Sequence, residues 1–333
     1  MRPIQEETMV LSRRTLMGAA AAAASLAAPR VHAQPWAPSR TVTILIPFAA
    51  GGATDVMGRL IAGPMSQKLG QTVVVENMAG GSGGVAAARV LRTAADGHML
   101  FLGHVGVFAL NYHLFNRLPY GQDDFAAIGM VATNPMILLT SRNSGITTMP
   151  QLRQAASTRR LSIGSSGLGT TLHMGGVMAN QALGGGGELI PYRGGGPALN
   201  DLYAGVLDVV VDQALTALPA LDNGAKAIAV TGPSRLPQIP DVPTTTEAGL
   251  PGLSLEVWNI LTAHKNTPAP IIQACNEALN HALDDAHVKT RFAAASARVP
   301  NGAERSPEYS ANFMRSEAEA WGRFIREARI ERE

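Results

Sequence analysis

Short runs of β-branched and aliphatic residues alternate along this chain with longer helix-compatible stretches, and the alternation begins twice. In the first pass residues 41–46, 72–76 and 99–102 read as strands, separated by helices at 54–69 and 85–93. This order requires parallel strands covered by helices. Pro64 lies inside the first of these helices and is expected to kink or shorten it. The second pass places strands at 161–163, 188–191, 208–211 and 225–230, with helices at 171–183, 197–204 and 215–221. Apolar runs at 130–140 and 255–263 read as two strands crossing between the units. From residue 268 onward the chain reads as helical, and Tyr309, Phe313, Trp321, Phe324 and Ile325 form an expected docking stripe onto the first unit. Two α/β lobes follow, 40–138 plus 256–333 and 139–255, with a cleft lined by strand-to-helix loops.

At 333 residues, 46% of them hydrophobic, the chain is long enough for two domains with full cores. Its one cysteine, Cys275, sits in a helical run with Ile271, Ile272 and Leu279 and reads as a buried apolar side chain. Residues 1–33 read as an export signal: Arg13 and Arg14 precede an apolar stretch at 16–28, then Val31-His32-Ala33 as a small-residue cleavage site. The paired arginines suit the twin-arginine route, with an ordinary secretory signal as the alternative. Removing Arg2, Arg13, Arg14 and Arg30 from 27 basic residues leaves 23, and removing Glu6 and Glu7 from 25 acidic residues leaves 23. A neutral mature chain without a basic run lacks the electrostatic footprint for nucleic acid or anionic lipid. The expected partner is a small molecule, and the expected state is a monomer.

Four glycine-rich loops follow expected strands: 47–55, 103–106, 164–173 and 191–197. A flexible turn feeding a helix presents unpaired backbone N–H groups with the positive end of the helix dipole behind them, which favours a carboxylate or phosphate. Thr54 or Asp55 is placed to cap the helix after the first loop. In the fourth loop Tyr192 is expected to face the cleft and Arg193 the solvent, because side chains alternate along the strand before them.

Other chemistries are poorly supported. Gly80 to Gly84 lacks dinucleotide-fingerprint spacing, and no Lys-Ser or Lys-Thr follows a loop as a phosphate cradle needs. Ser165 and Ser166 miss the nucleophile-elbow spacing. His98, His104, His113 and His173 are scattered, so neither a metal nor a cofactor is expected. A hydrolase or lyase on this scaffold would have to use His104, His173 or Asp212, and a ligand-sensing subunit for a membrane protein is a further alternative.

Several motifs recur in order along nearly the whole mature chain: Ile46-Pro47-Phe48 with Gly51-Gly52-Ala53-Thr54-Asp55, Val74-Val75-Glu76-Asn77, Ala95-Asp96-Gly97, Leu118-Pro119-Tyr120, Pro191-Tyr192-Arg193-Gly194, and Pro240-Asp241-Val242-Pro243-Thr244 with Glu247-Ala248-Gly249-Leu250-Pro251-Gly252. In these the chain resembles the tripartite tricarboxylate transporter receptors, or Bug proteins. The resemblance implies an α/β type II periplasmic-binding-protein fold that closes like a Venus flytrap on a carboxylate, delivery to a membrane permease, and no enzymatic activity. It also implies that Gly52, Ala53, Thr54 and Asp55, with Ser165, Gly169, Thr170 and Thr171, grip one carboxylate. Phe48, His173 and Tyr192 complete the expected ligand set together with His104, Asp212 and Gln213. His104 stands where the family commonly has Thr or Ser, and Asp212-Gln213 follows the strand at 209–211; these positions are expected to meet the far end of the ligand.

Overall fold

The computed structural model describes residues 36–165, 169–327, 330 and 332. The expected export signal and residues 166–168 of the third loop lie outside the described residues.

The first unit is built from β1 (Val42–Ile46), α1 (Ala53–Leu69), β2 (Val73–Asn77), α2 (Gly84–Arg92) and β3 (Met99–His104). A π-helical turn, Gly106–Leu110, and the short α3 (Asn111–Leu114) follow β3 directly. The long β4 (Phe125–Thr140) leads into α4 (Met149–Thr158), β5 (Ser162–Ser165), α5 (Thr171–Ala182), β6 (Glu188–Pro191), α6 (Gly195–Ala204), β7 (Val209–Gln213), α7 (Ala214–Asp222) and β8 (Lys226–Val230). The chain then returns through β9 (Glu256–His264) to α8 (Ala269–Asp284), α9 (Ala286–Ala294) and α10 (Pro307–Glu327).

The strands order as β2-β1-β3-β9-β4-β7-β5-β6, with β8 also paired to β4. Parallel pairs β1/β2, β1/β3, β5/β6 and β5/β7 confirm the βαβ reading, whereas β9 runs antiparallel to both β3 and β4. β4 joins the two halves: Phe125 to Pro135 pair with β9, and Met136 to Thr140 pair with β7 and β8. The second half of the sheet packs a separate apolar cluster that includes Ile137, Leu139, Val210, Leu199 and Leu202. Two lobes on shared crossing strands result. β4 starts five residues before the expected position, in Phe125-Ala126-Ala127-Ile128-Gly129, whose small residues carry little strand character.

Two expectations need correction. α1 runs without interruption through Pro64, which costs the ring only its own missing donor while the helix stays packed on β1 and β2. α4 was absent from the sequence reading, although Thr148 and Gln151 form a reciprocal capping box at its start, with Pro150 in its first turn.

The C-terminal helices pack on the first half as expected. α8 lies against α1, and Asn276 donates to the Ile128 carbonyl of β4 at 2.8 Å. α10 lies on β4 and on the π-helical turn, and Trp258 of β9 donates to Glu317 at 2.8 Å. The docking stripe is centred on Ser310, Met314, Ala318, Gly322 and Ile325, so Phe324 sits off it and is exposed. Cys275 is fully buried between these layers. Among the described residues no helix is long and apolar enough to cross a membrane.

Candidate functional site

The loop after β1 is shaped by α1's first turn. Gly51 takes a positive φ of 85° and donates its N–H to the Asp55 carboxylate at 2.9 Å. The same carboxylate accepts from Arg59 Nε at 3.0 Å and Asn77 Nδ2 at 3.0 Å. Burial raises the Asp55 pKa, but the bonds from Arg59, Gly51 and Asn77 outweigh it and hold the group below the usual carboxylate range. Asp55 is therefore a permanent anion whose acceptors are filled, a support for the turn rather than a grip on an anionic ligand. The N-cap itself is Gly52, with no side-chain bond, so neither Thr54 nor Asp55 occupies the cap position. Thr54 instead donates to Asn259 of β9 at 3.1 Å. With the Asp55 carboxylate and the Thr54 hydroxyl both engaged, what α1 chiefly offers the cleft is its first backbone N–H groups, which have no intrahelical acceptor.

Two more helix starts converge on the same place. α5 is capped by Thr170, whose hydroxyl accepts the His173 N–H at 3.2 Å, while α6 opens at Gly195 in the loop after β6. A cavity of about 20 Å³ is lined by Phe48, Gly52, Ala53, Thr54 and His104 from the first half and by Leu172, Gly195 and Asp212 from the second. Six of the expected residues thus meet there: Phe48, Gly52, Ala53, Thr54, His104 and Asp212. Thr170 and Tyr192 border a neighbouring cavity of about 410 Å³ with Phe48, Arg193 and the 80–83 loop. Ser165 and Gln213 are buried at strand ends, Thr171 is buried, Gly169 packs against Asn111 and Phe115, and His173 is half-buried.

The Tyr192 hydroxyl donates to Asp201 of α6 at 2.5 Å, and Arg193, expected to face the solvent, borders the same cavity as Tyr192. The second loop is corrected too. β3 continues through His104 straight into the π-helical turn, so no open glycine loop exists there.

The two halves touch through loop backbones. Ala49 donates its N–H to the Arg193 carbonyl at 3.2 Å. A Cβ on Gly196 would lie 2.9 Å from the Ala50 carbonyl oxygen, and one on Gly194 3.1 Å from the Ala49 nitrogen. Glycine is needed at these positions for contact, not for backbone conformation.

The cavity's side chains carry little positive charge. His104 is buried, stacks on Phe48 at 4.4 Å and accepts the Gly106 N–H at Nδ1 over 2.9 Å. Burial pushes its pKa down to about 3, so the ring is neutral at physiological pH. Asp212 is also buried; burial raises its pKa to about 6 against the lowering effect of the Thr216 hydroxyl and Gln213 N–H. Among the described residues no group of three or more His, Cys, Asp or Glu side chains is placed to hold a metal ion.

Missed by the sequence reading are Leu172 and Gly195, and Asn259, which orients Thr54. Asn259 and Asn134 are fully buried amides in the two crossing strands. A lone Asn within each apolar run was the available clue, since a buried polar side chain requires a reason.

Two half-sheets sharing crossing strands, with three helix starts turned to one cavity between them, define a two-lobe solute-binding protein. Residues 57–330 match the model of the tripartite tricarboxylate transporter family receptor, and the chain belongs to that family. It is therefore a substrate-binding receptor and not an enzyme. The chain is 31% identical over 317 residues to the protein BugT of Bordetella pertussis, covering 94% of this chain and 96% of BugT. Among solved structures it resembles MatC (Rpa3494) from Rhodopseudomonas palustris with bound malate, at 35% identity and TM-score 0.82 over 86% of this chain and 99% of that one. It likewise resembles R. palustris Rpa4515 with adipate, at 30% identity and TM-score 0.83 over 89% and 99%.

Proposed function

We propose that this receptor works outside the cytoplasm, in the periplasm, where it captures a small organic carboxylate between its lobes and delivers it as a monomer to a membrane permease. The convergence of the α1, α5 and α6 starts on one cavity carries this reading, because each brings unpaired N–H groups and the positive end of a dipole to the same point. Malate in MatC and adipate in Rpa4515 support the same class of ligand. The ligand set is Phe48, Gly52, Ala53, Thr54, His104, Thr170, Thr171 and Asp212, with Asp55 as the support of the first loop. Residues 1–33 serve as the export signal, and the twin-arginine pair Arg13-Arg14 directs it. The lobes are 40–138 plus 256–333 and 139–255, a division supported by the change of β4's partner at Pro135/Met136.

Thermal-shift screening of mono-, di- and tricarboxylates against the mature protein tests the reading. At least one acid is expected to raise the melting temperature progressively with concentration. Stabilisation by nucleotides or metal ions alone would overturn it.

A further inference from the structure

Three buried amide side chains, two in the crossing strands and one at the end of β7, are unaccounted for by the carboxylate cradle. Asn134, Asn259 and Gln213 are buried, at 0%, 0% and 2% exposure. Asn134 Nδ2 and Oδ1, Asn259 Nδ2 and Gln213 Oε1 have no hydrogen-bond partner among the described residues. Leaving a buried polar group unsatisfied costs about 1–3 kcal/mol, so four such atoms are not neutral to the fold.

Strand register brings the three together. In β4 and β9, Asn134 is paired with Val257 and Ala132 with Asn259, so Asn134 and Asn259 share a face as diagonal neighbours. Met136 is paired with Gln213 of β7, and Met136 lies two residues from Asn134, so Gln213 shares that face as the diagonal neighbour on the second half of the sheet. Diagonal neighbours stand about 7–8 Å apart, within reach of amide side chains or of one small group held between them. The same face meets the start of α1 and the second turn of α5: Thr54 bonds Asn259, and a Cβ on Gly175 of α5 would lie 3.5 Å from the Met136 methyl. Thr54 lines the cavity between the lobes, which ties the amide cluster to the proposed carboxylate site.

The chemistry of the free atoms is mixed. Thr54 fixes Asn259 with its oxygen occupied and its NH₂ free, and Asn134 offers both a donor and an acceptor. Gln213 adds an acceptor. A carboxylate only accepts, so it would leave the Asn134 and Gln213 oxygens unpaired and facing its charge. An apolar end would leave all four atoms unpaired. A carboxamide or hydroxyl both donates and accepts, and satisfies acceptors and donors together. Neutral His104 and acidic Asp212, the titratable side chains on the cavity wall, supply no cation for a second carboxylate.

We infer that Asn134, Asn259 and Gln213 form a distal subsite for an uncharged hydrogen-bonding group, so that the preferred ligand is a monocarboxylate with a carboxamide or hydroxyl at its other end. This rests on the carboxylate-receptor reading above and narrows it.

Calorimetric titration of the mature protein at neutral pH with matched probes tests the inference: succinamate and glutaramate, succinate and glutarate, and butyrate and pentanoate. The better monoamide is expected to bind at least about tenfold more tightly than the matching dicarboxylate and the matching apolar acid, since one unsatisfied buried group is worth about a factor of ten. Asn134→Leu and Gln213→Met should each erase the preference over the apolar acid, weakening the monoamide while the apolar acid binds no more weakly than to the parent protein. Should Asn134→Leu fail to fold, Gln213→Met carries the comparison alone. Binding of the acids without a monoamide preference, or a preference untouched by the substitutions, overturns the distal subsite and leaves the receptor reading intact. If none of the probes and no other carboxylate in the thermal screen binds, the receptor reading falls and this inference with it.

Discussion

Gly196 approaches Ala50 so closely that a single added methyl would stand 2.9 Å from the Ala50 carbonyl oxygen. Beside this contact Ala49 donates to Arg193, so the loop after β1 and the loop after β6 meet backbone to backbone across the cleft. β4 and β9 run between the lobes, and Gln238 of the second half also bonds Ala293 and Ser296, but the contact between these two loops is made by backbone alone and can part without unfolding either half. Gly196→Val should therefore act on closure. We expect ligand affinity to fall about tenfold or more while the ligand-free melting temperature changes little, since a ligand stabilises the closed state only by its differential affinity for it. Titration calorimetry paired with a ligand-free melt checks this; unchanged affinity would exclude a role for the contact.

Asp55 is the acceptor for Gly51, Arg59 and Asn77, and it is almost wholly buried. Asp55→Ala leaves the Gly51 N–H and the Asn77 amide without their acceptor, and Asn77 also holds the Phe48 carbonyl at 3.0 Å. A loss of about 2–3 kcal/mol is expected on denaturant unfolding, with weakened ligand binding as a consequence of the loosened loop. Asp55→Asn should retain part of the stability but not the ion pair with Arg59. A variant that binds poorly yet unfolds like the parent protein would instead make Asp55 a direct ligand contact.

How far the molecule could be read from its residues differs between fold and site. β6 matched its expected bounds, and the other second-half strands fell close to theirs, because alternation of apolar runs with turn residues is a local property. β4 was cut short because Ala126, Ala127 and Gly129 have little local preference; pairing with β9 makes them strand. At the site, Gly52 to Thr54 and Thr170 were legible as helix starts. Asn134 and Asn259 were not, since their common face depends on the register between strands more than a hundred residues apart. Strand alternation likewise could not reveal that Asp201, on the following helix, takes the Tyr192 hydroxyl.

His104 should remain neutral throughout the range in which histidine usually titrates. Its folded-state pKa, about 3, lies below the ordinary 6.5, so its contribution to stability is present above pH 6.5 and is lost as the pH falls toward 3. In an NMR titration its ring resonances should not move between pH 8 and 5. His104→Phe, which keeps the stack on Phe48, should show a shallower loss of stability across the acid range. Titration near pH 6.5 would mean that the ring is solvated.

Asp212 has the opposite displacement. Its carboxyl is fully buried, a Cβ on Gly195 at the start of α6 would lie 3.3 Å from one of its oxygens, and burial lifts its pKa from 3.8 to about 6. The folded protein then holds a proton that the unfolded chain has released between pH 4 and 6, so the stability linked to this group is present below pH 4 and lost as the pH rises through 6. At neutral pH the buried charge costs on the order of 2–3 kcal/mol, net of the opposing bonds from Thr216 and Gln213. Asp212→Asn removes that charge and keeps an oxygen for one of the two donors, the Thr216 hydroxyl or the Gln213 N–H. It should unfold at higher denaturant than the parent protein at pH 7.5 and at nearly the same denaturant at pH 4. The same substitution should weaken the pH dependence of binding, because the parent protein gains a donor in the cleft only when Asp212 is protonated. Equal stability of the two proteins at pH 7.5 would mean that Asp212 is charged at no cost, with water or a cation at its side.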